Sequence, residues 1–453
     1  MTGLPTVIRR TLAVTLAAVV ASCQSPGTEG QDPTPAATAL ESAAAVDAPG
    51  FIYGRVTARG GAVYQGRLRW GGGEEAFWDD TFNGVKDENP WAALPPVRRW
   101  VGERRAARVF GVRVPWGEPE VDLSRPFMAR FGDVARVEAR GDGVQGVVER
   151  GAEYDPNVRV TLKSGAVVDL DRLSASDFDD GVRVWDRQRG VVDLGPRQIR
   201  VIEFLPTPRL RGAPRRLYGT VRTRGGAFTG FLQWDRRLAV ATDGLVGRTE
   251  TGEVRLPFGA VRSIVRQRGG GARVVLRDGR ERVLSGDDGL GQRGVYVHDP
   301  RYGRVLVSWD AIEGVEFGVP SGGSSPTGPA YGAFPPGRPL AGTVTTRAGR
   351  RLSGRLVYDL DETETTETLD APAEGVDYSV PFSRIGSVVL PDRAGAPARV
   401  TLRSGEVLEL RRAGDLGDGN AGVLITAGGQ ERPEYLPWAD VARIDLAPPP
   451  DAD

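Results

Sequence analysis

The chain has 453 residues, and its 59 basic side chains balance 59 acidic ones, so no net field draws it to nucleic acid or to an anionic membrane. One histidine, His298, and one cysteine, Cys23, exclude a cysteine-type zinc site, a multi-histidine metal centre and an internal disulfide. The length corresponds to about three domains of ordinary size, and nothing in the composition calls for a cofactor.

Residues 1–22 read as a leader. Arg9 and Arg10 form a basic start, residues 11–20 an apolar run, and Val20-Ala21-Ser22-Cys23 a small-residue stop. The apolar run is too short to span a bilayer, which needs about 20 residues. Val20-Ala21-Ser22-Cys23 resembles the lipobox of bacterial lipoprotein signal peptides. That resemblance implies acylation of Cys23, cleavage before it and anchorage of the mature chain in a lipid bilayer; an ordinary secretory signal is the alternative. Gln24, rather than an aspartate, resembles the pattern of lipoproteins sent to the outer membrane, facing the periplasm or the cell surface. Residues 23–50 are small, polar and Pro/Ala-rich, the composition of a flexible tether.

Beyond the tether the chain repeats itself. Gly54-x-Val56 with Gly66-x-Leu68-x-Trp70 returns as Gly219-x-Val221 with Gly230-x-Leu232-x-Trp234, and again as Gly342-x-Val344 with Gly354-x-Leu356-x-Tyr358. Pro-rich breaks at 205–215 and 319–338 divide the chain into segments 51–204, 216–318 and 338–446, with a short tail at 447–453. Each segment opens with a hairpin of period-2 alternation, clearest at 218–234 around Gly225-Gly226. An apolar triplet spaced by three follows: Phe131, Val134, Val137; Phe258, Val261, Ile264; Phe382, Ile385, Val388. Such spacing over so short a run predicts one 3₁₀ turn feeding a strand. A second hairpin turns at Ser164-Gly165, Asp278-Gly279 and Ser404-Gly405, and a second closing motif ends each segment at Ile199-Ile202-Phe204, Ile312-Val315-Phe317 and Val441-Ile444-Leu446.

This order of hairpin, strands, tight turn and closing strand resembles the small SH3-like or Sm-like β-barrel. The resemblance implies an all-β chain of three tandem repeats, each of two barrel-type halves. An Sm-like likeness brings RNA binding to mind, but zero net charge and the lack of a basic aromatic platform argue against nucleic acid. His298, near the end of a strand, reads as an exposed polar residue.

The first segment differs from the others in residues 71–121, which read as an insertion with no counterpart and a partly helical character. It holds Trp78, Trp91, Trp100 and Trp116 together with Phe77, Phe82, Glu74, Glu75, Asp79, Asp80, Asp87 and Glu88. Its Glu-Glu-x-Phe-Trp and Phe-Asn-Gly-x-Lys stretches are similar to those of uncharacterised exported bacterial proteins, a likeness that implies a class and no activity. Three readings stand. The segment is a recognition loop in which Trp78, Trp91, Phe77, Phe82, Glu74, Glu75, Asp79 and Asp80 contact an envelope protein or a glycan. Alternatively, a carboxylate pair such as Glu75 and Asp79 cleaves glycosidic bonds, which asks for carboxyl groups about 5–10 Å apart. Or it is a lid whose tryptophans are core. Asp79-Asp80 and Asp359-x-Asp361 lack the spacing and turn glycine of a calcium loop. The expectation is a non-catalytic scaffold, with no catalytic or metal residue assigned and glycan binding or cleavage as the alternative.

Overall fold

The computed structural model describes residues 45–71, 73–86, 89–91, 93–95, 97, 107–109, 112–114, 125–140, 158–170, 176–268, 270–285, 293–321, 325–393, 395–428 and 432–448. The leader, Cys23, residues 23–44 of the tether, Trp100, Trp116, Asp87, Glu88 and residues 449–453 lie outside them. The chain is all-β, built of several antiparallel sheets. Among the described residues no helix is long and apolar enough to cross a membrane.

One strand order occurs in all three segments, here called modules. In the second module it runs Glu281–Leu284, Ala272–Leu276, Val261–Arg266, Ile312–Phe317, Tyr218–Thr223, Gly226–Trp234, Val295–Asp299, Gly303–Val307. The first and third modules place their own eight strands in the same order. The two halves of a module share one ladder, because the closing strand of one half pairs with that of the other: Ile202 with Val137, Val315 with Ile264, Ile444 with Val388. The apolar triplets each make a 3₁₀ turn, at Phe131–Asp133, Phe258–Ala260 and Phe382–Arg384. Each turn phenylalanine packs on the aromatic that ends the second strand: Trp70 on Phe131 at 4.7 Å, Trp234 on Phe258 at 5.7 Å, Tyr358 on Phe382 at 5.2 Å. Burying such a side chain stabilises by about 1.5–3 kcal/mol.

The glycine motif has a steric cause. Gly54 faces Gly66, Gly219 faces Gly230, and Gly342 faces Gly354 across the first hairpin of each module. A Cβ on Gly66, Gly230 or Gly354 would lie 1.9, 2.0 or 2.1 Å from the carbonyl oxygen of Trp185, His298 or Thr426. Only glycine allows the next strand so close.

Residues 71–86 do have counterparts, contrary to the sequence reading. Trp70 N–H donates to the Glu74 carbonyl, Trp234 N–H to that of Leu238, and Tyr358 N–H to that of Glu362. Next comes a carboxylate that accepts two backbone N–H groups: Asp80 from Glu75 and Ala76, Asp243 from Ala239 and Val240, Glu367 from Thr363 and Glu364. The carbonyl of that residue accepts from the turn phenylalanine in every module. An outer hairpin follows: Thr81–Lys86 with Arg125–Arg130, Gly244–Thr249 with Gly252–Pro257, Thr368–Pro372 with Val376–Pro381. What is peculiar to the first module is the stretch between its two hairpin strands, residues 87–124.

The modules are joined in every pair. The outer hairpin of the third continues the sheet of the second, Val376–Pro381 pairing with Gly303–Val307, and those two modules share one apolar core. The connection 319–338 does not hang free: Tyr331 lies 4.9 Å from Phe77 and Phe334 5.8 Å from Trp78, against the core of the first module. Lys163 Nζ donates to the Tyr331 carbonyl at 2.5 Å.

Candidate functional site

The structure separates the eight residues predicted to form one contact surface. Glu75, Phe77, Asp79, Asp80 and Phe82 are buried, each at most 1 % exposed. Phe82 sits edge-on to Trp70 and Phe131 inside the first core. A contact surface made of these five is therefore corrected to buried packing, which also differs from a lid with solvated acids. Glu74, Trp78 and Trp91 are half-buried. Trp78 is enclosed by the Phe334 ring and the guanidinium groups of Arg130 and Arg384. Trp91 lies some way off, beside an apolar cluster of Val97, Leu360, Ala421 and Leu424.

A joint binds the first module to the second through charge. Asp79 takes a bidentate pair of bonds from Arg216, one of them 3.1 Å from Nη1, with both side chains fully buried. The Arg216 guanidinium also lies over the rings of Phe51 and Phe231. Asp80 accepts from the Gln233 amide, whose oxygen lies 3.1 Å from His298 Nε2. His298 is thus buried, not exposed as its position near a strand end suggested, because the first module covers that face of the strand. Burial, reinforced by Arg304, Arg216 and Arg130, pushes its pKa well below the usual histidine range, so the ring is neutral. Burial pushes the Asp80 carboxyl well up, with Asp79 adding to the effect. Glu75 has Arg67 and Arg69 at 3.9 Å, beyond hydrogen-bond reach, and neither carboxylate oxygen accepts a hydrogen bond. Burial raises its pKa against those arginines. With Asp79 sealed by Arg216, the pair Glu75 and Asp79 has no open face for a sugar, and the acid–base role suggested for it is withdrawn.

An open site lies elsewhere, between the first and third modules. Two adjoining hollows of about 420 and 520 Å³ share Arg125, Phe127, Asp361 and Glu367 in their walls. Three devices place these side chains. The outer hairpin of the first module supplies Lys86, Arg125 and Phe127. The 358–362 turn of the third supplies Asp359, Asp361 and Glu362, its tip formed by Asp359 and Leu360 at φ +50° and +55°. The stretch peculiar to the first module supplies Trp91 to the larger hollow, where Asn89 Nδ2 donates to the Leu360 carbonyl at 2.9 Å.

Acids outnumber bases in the smaller hollow. Asp359, Asp361, Glu362, Glu367, Asp370 and Asp415 line it with Arg125 and Arg304, and Lys86 stands in the wall of the larger one. Lys86 Nζ is 2.5 Å from Asp361 Oδ1 and 3.2 Å from Glu367 Oε1, and Arg125 is 3.5 Å from Asp359. Burial opposes the Lys86 charge, yet the carboxylates of Glu367 and Asp361 outweigh it and hold the ammonium above its usual range. Burial pushes Glu362 well above the carboxylate range, with Asp361 and Asp415 adding to it, and does the same to Asp415, with Asp370 adding. Among the described residues no group of three or more His, Cys, Asp or Glu is arranged to hold a metal ion.

Sequence reasoning missed this cleft because its walls come from positions about 275 residues apart, as in the Lys86–Asp361 pair. The available signal was the acidic run 359–367, of which the sequence reading considers only Asp359-x-Asp361, as a calcium loop. No protein-family model matches the chain, and no curated protein does. A selenomethionine-substituted virginiamycin B lyase from Staphylococcus aureus is 10% identical, with 65% of this chain and 92% of that chain covered, at a TM-score of 0.10. A likeness so slight carries no argument about fold or activity, and the chain's function rests on its own geometry.

Proposed function

We propose that this protein is an exported lipoprotein, held in the bilayer through acylated Cys23, whose three SH3-like modules act as a non-catalytic binding or assembly scaffold at the cell envelope. One observation carries the non-catalytic part: the acids best placed by sequence for bond cleavage, Glu75 and Asp79, are at most 1 % exposed, and Asp79 is held by Arg216 in the joint between modules. A buried carboxylate offers no proton to a substrate it cannot touch. The open surface belongs to the cleft between the first and third modules, so binding is assigned there. Trp91 beside the acids of the larger hollow favours a second reading, a glycan ligand stacked on the indole.

The test is a pull-down from solubilised envelope with the full chain and with Trp91→Ala. A protein retained by the parent and lost from the variant supports the scaffold. Retention of glycan alone moves the reading to a glycan binder, and retention of nothing overturns both. Lipid labelling that survives in Cys23→Ala would sink the tether.

A further inference from the structure

In the smaller hollow every carboxylate but one has a partner. Asp361 and Glu367 hold Lys86. Asp359 faces Arg125 and accepts from the Ala421 amide. Asp415 accepts from the Asp370 amide at 2.6 Å, and Asp370 from the Thr368 hydroxyl at 3.2 Å. Glu362 is left over: its Oε2 is buried and accepts no hydrogen bond, although the side chain lines the cavity.

The fold does not ask for an acid at that position. Glu362 closes the turn after the second strand, and the residue closing the same turn in the second module is Leu238, packed against the apolar core. In the first module it is Glu74, whose Oε2 is likewise buried and accepts no hydrogen bond, but which lines neither hollow. In the third module the carboxylate lines the smaller of the two adjoining hollows.

We propose that the cleft between the first and third modules binds an organic cation, a single ammonium or guanidinium head on an apolar body, with Glu362 as the acceptor for that head. The inference rests on the reading of this chain as a binding protein, and not on its tether or its export. An ammonium brings three N–H donors and a guanidinium five, so either meets an acceptor that now has no donor. A hard metal ion needs about six oxygen ligands at fixed geometry, and the described residues present no such group. An anion would meet an excess of carboxylates. Polycations are disfavoured by Arg125, in the wall of both hollows, and by Lys86, in that of the larger one. The apolar body lies in the larger hollow, against Trp91, Phe127, Val167 and Leu360.

The experiment is calorimetric titration of the purified full chain with hexylamine, with N-acetyl-leucyl-lysine amide and with hexanol. Calcium chloride is the fourth titrant. At least one cationic probe should bind ten-fold or more tightly than hexanol and calcium. Tighter binding of the dipeptide would identify a basic peptide side chain as the source of the cation, and tighter binding of hexylamine a free amine. Glu362→Gln and Glu362→Leu should each weaken the cation ten-fold or more while the melting temperature holds, the leucine copying the second module. Equal binding by these variants, tighter binding of calcium, or no heat from either cation at millimolar concentration overturns the proposal. The envelope pull-down reports separately: partners retained without amine binding sink only this inference, and amine binding without partners sinks only the scaffold.

Discussion

The first module meets its two neighbours by opposite means. Against the second it presents Asp79 and Asp80, and Arg216, Gln233 and His298 complete them until both members of the ion pair are fully buried. Against the third it presents Lys86 and Arg125, which meet more carboxylates than they can neutralise, around hollows large enough for a ligand. Both places pair carboxylates with cationic side chains. What differs is access: the acids of the joint are sealed inside the fold, whereas those of the cleft line open hollows.

Breaking the joint should have the largest effect. Arg216→Ala leaves Asp79 buried without its partner and should cost about 3–5 kcal/mol in denaturant unfolding. Arg216→Met with Asp79→Leu should recover most of that loss, because an apolar pair of similar volume leaves no stranded charge. A double variant as unstable as the single would show that the joint depends on charge and not on packing.

At the cleft, Lys86→Met strands Asp361 and Glu367, but water reaches both. The loss should be smaller, about 2 kcal/mol, and should shrink as pH falls and Asp361, whose pKa burial raises, protonates. A loss matching that of Arg216→Ala would contradict the contrast between joint and cleft.

Glu74 sharpens the contrast through pH. Burial pushes its pKa up to about 7, above the unfolded value of about 4.3. The folded state therefore holds a proton that the unfolded state releases. The stabilisation is complete below the unfolded value and disappears as pH rises through about 7. Glu74→Gln should stabilise the chain by about 1–2 kcal/mol at pH 8 and leave it unchanged near pH 4. An equal gain at both pH values would place the effect in packing instead.

The smallest effect belongs to neither interface. Arg183 and Asp193 pair across two neighbouring strands with side chains 50% and 65% exposed, and Arg183→Gln should change stability by under about 0.5 kcal/mol. A larger change in thermal unfolding would mean that this edge of the sheet has a role of its own.

Much of the fold was legible because local chemistry dictates it. Alternation around Gly225-Gly226 produced the Tyr218–Thr223 and Gly226–Trp234 hairpin. Ser164-Gly165, Asp278-Gly279 and Ser404-Gly405 turned with glycine φ of +90°, +87° and +91°. The candidate site was much less legible. The carboxylate that caps the post-hairpin turn is Asp80, Asp243 and Glu367, two residue types at unequal spacing, so the equivalence of 71–86 with the other modules was hidden. The shared feature is a pair of backbone N–H groups needing an acceptor, and different side chains supply one. The same holds for the connection 319–338, whose prolines and glycines read as a break while Tyr331 and Phe334 bind it to the first module.

By itself the sequence determined the strands, the 3₁₀ turns and the threefold recurrence, because these rest on contacts between residues close along the chain. Glycine where the next strand passes, a hydrophobe every second residue and a phenylalanine opening each tight turn leave little freedom. Tertiary structure alone decided which charges are hidden and which remain open. Whether Asp79 is a contact or a joint depends on Arg216, 137 residues away, and whether Glu362 has a partner depends on how the first module lies against the third. Burial sets the cost of a charge, and burial follows from long-range packing that no local pattern records.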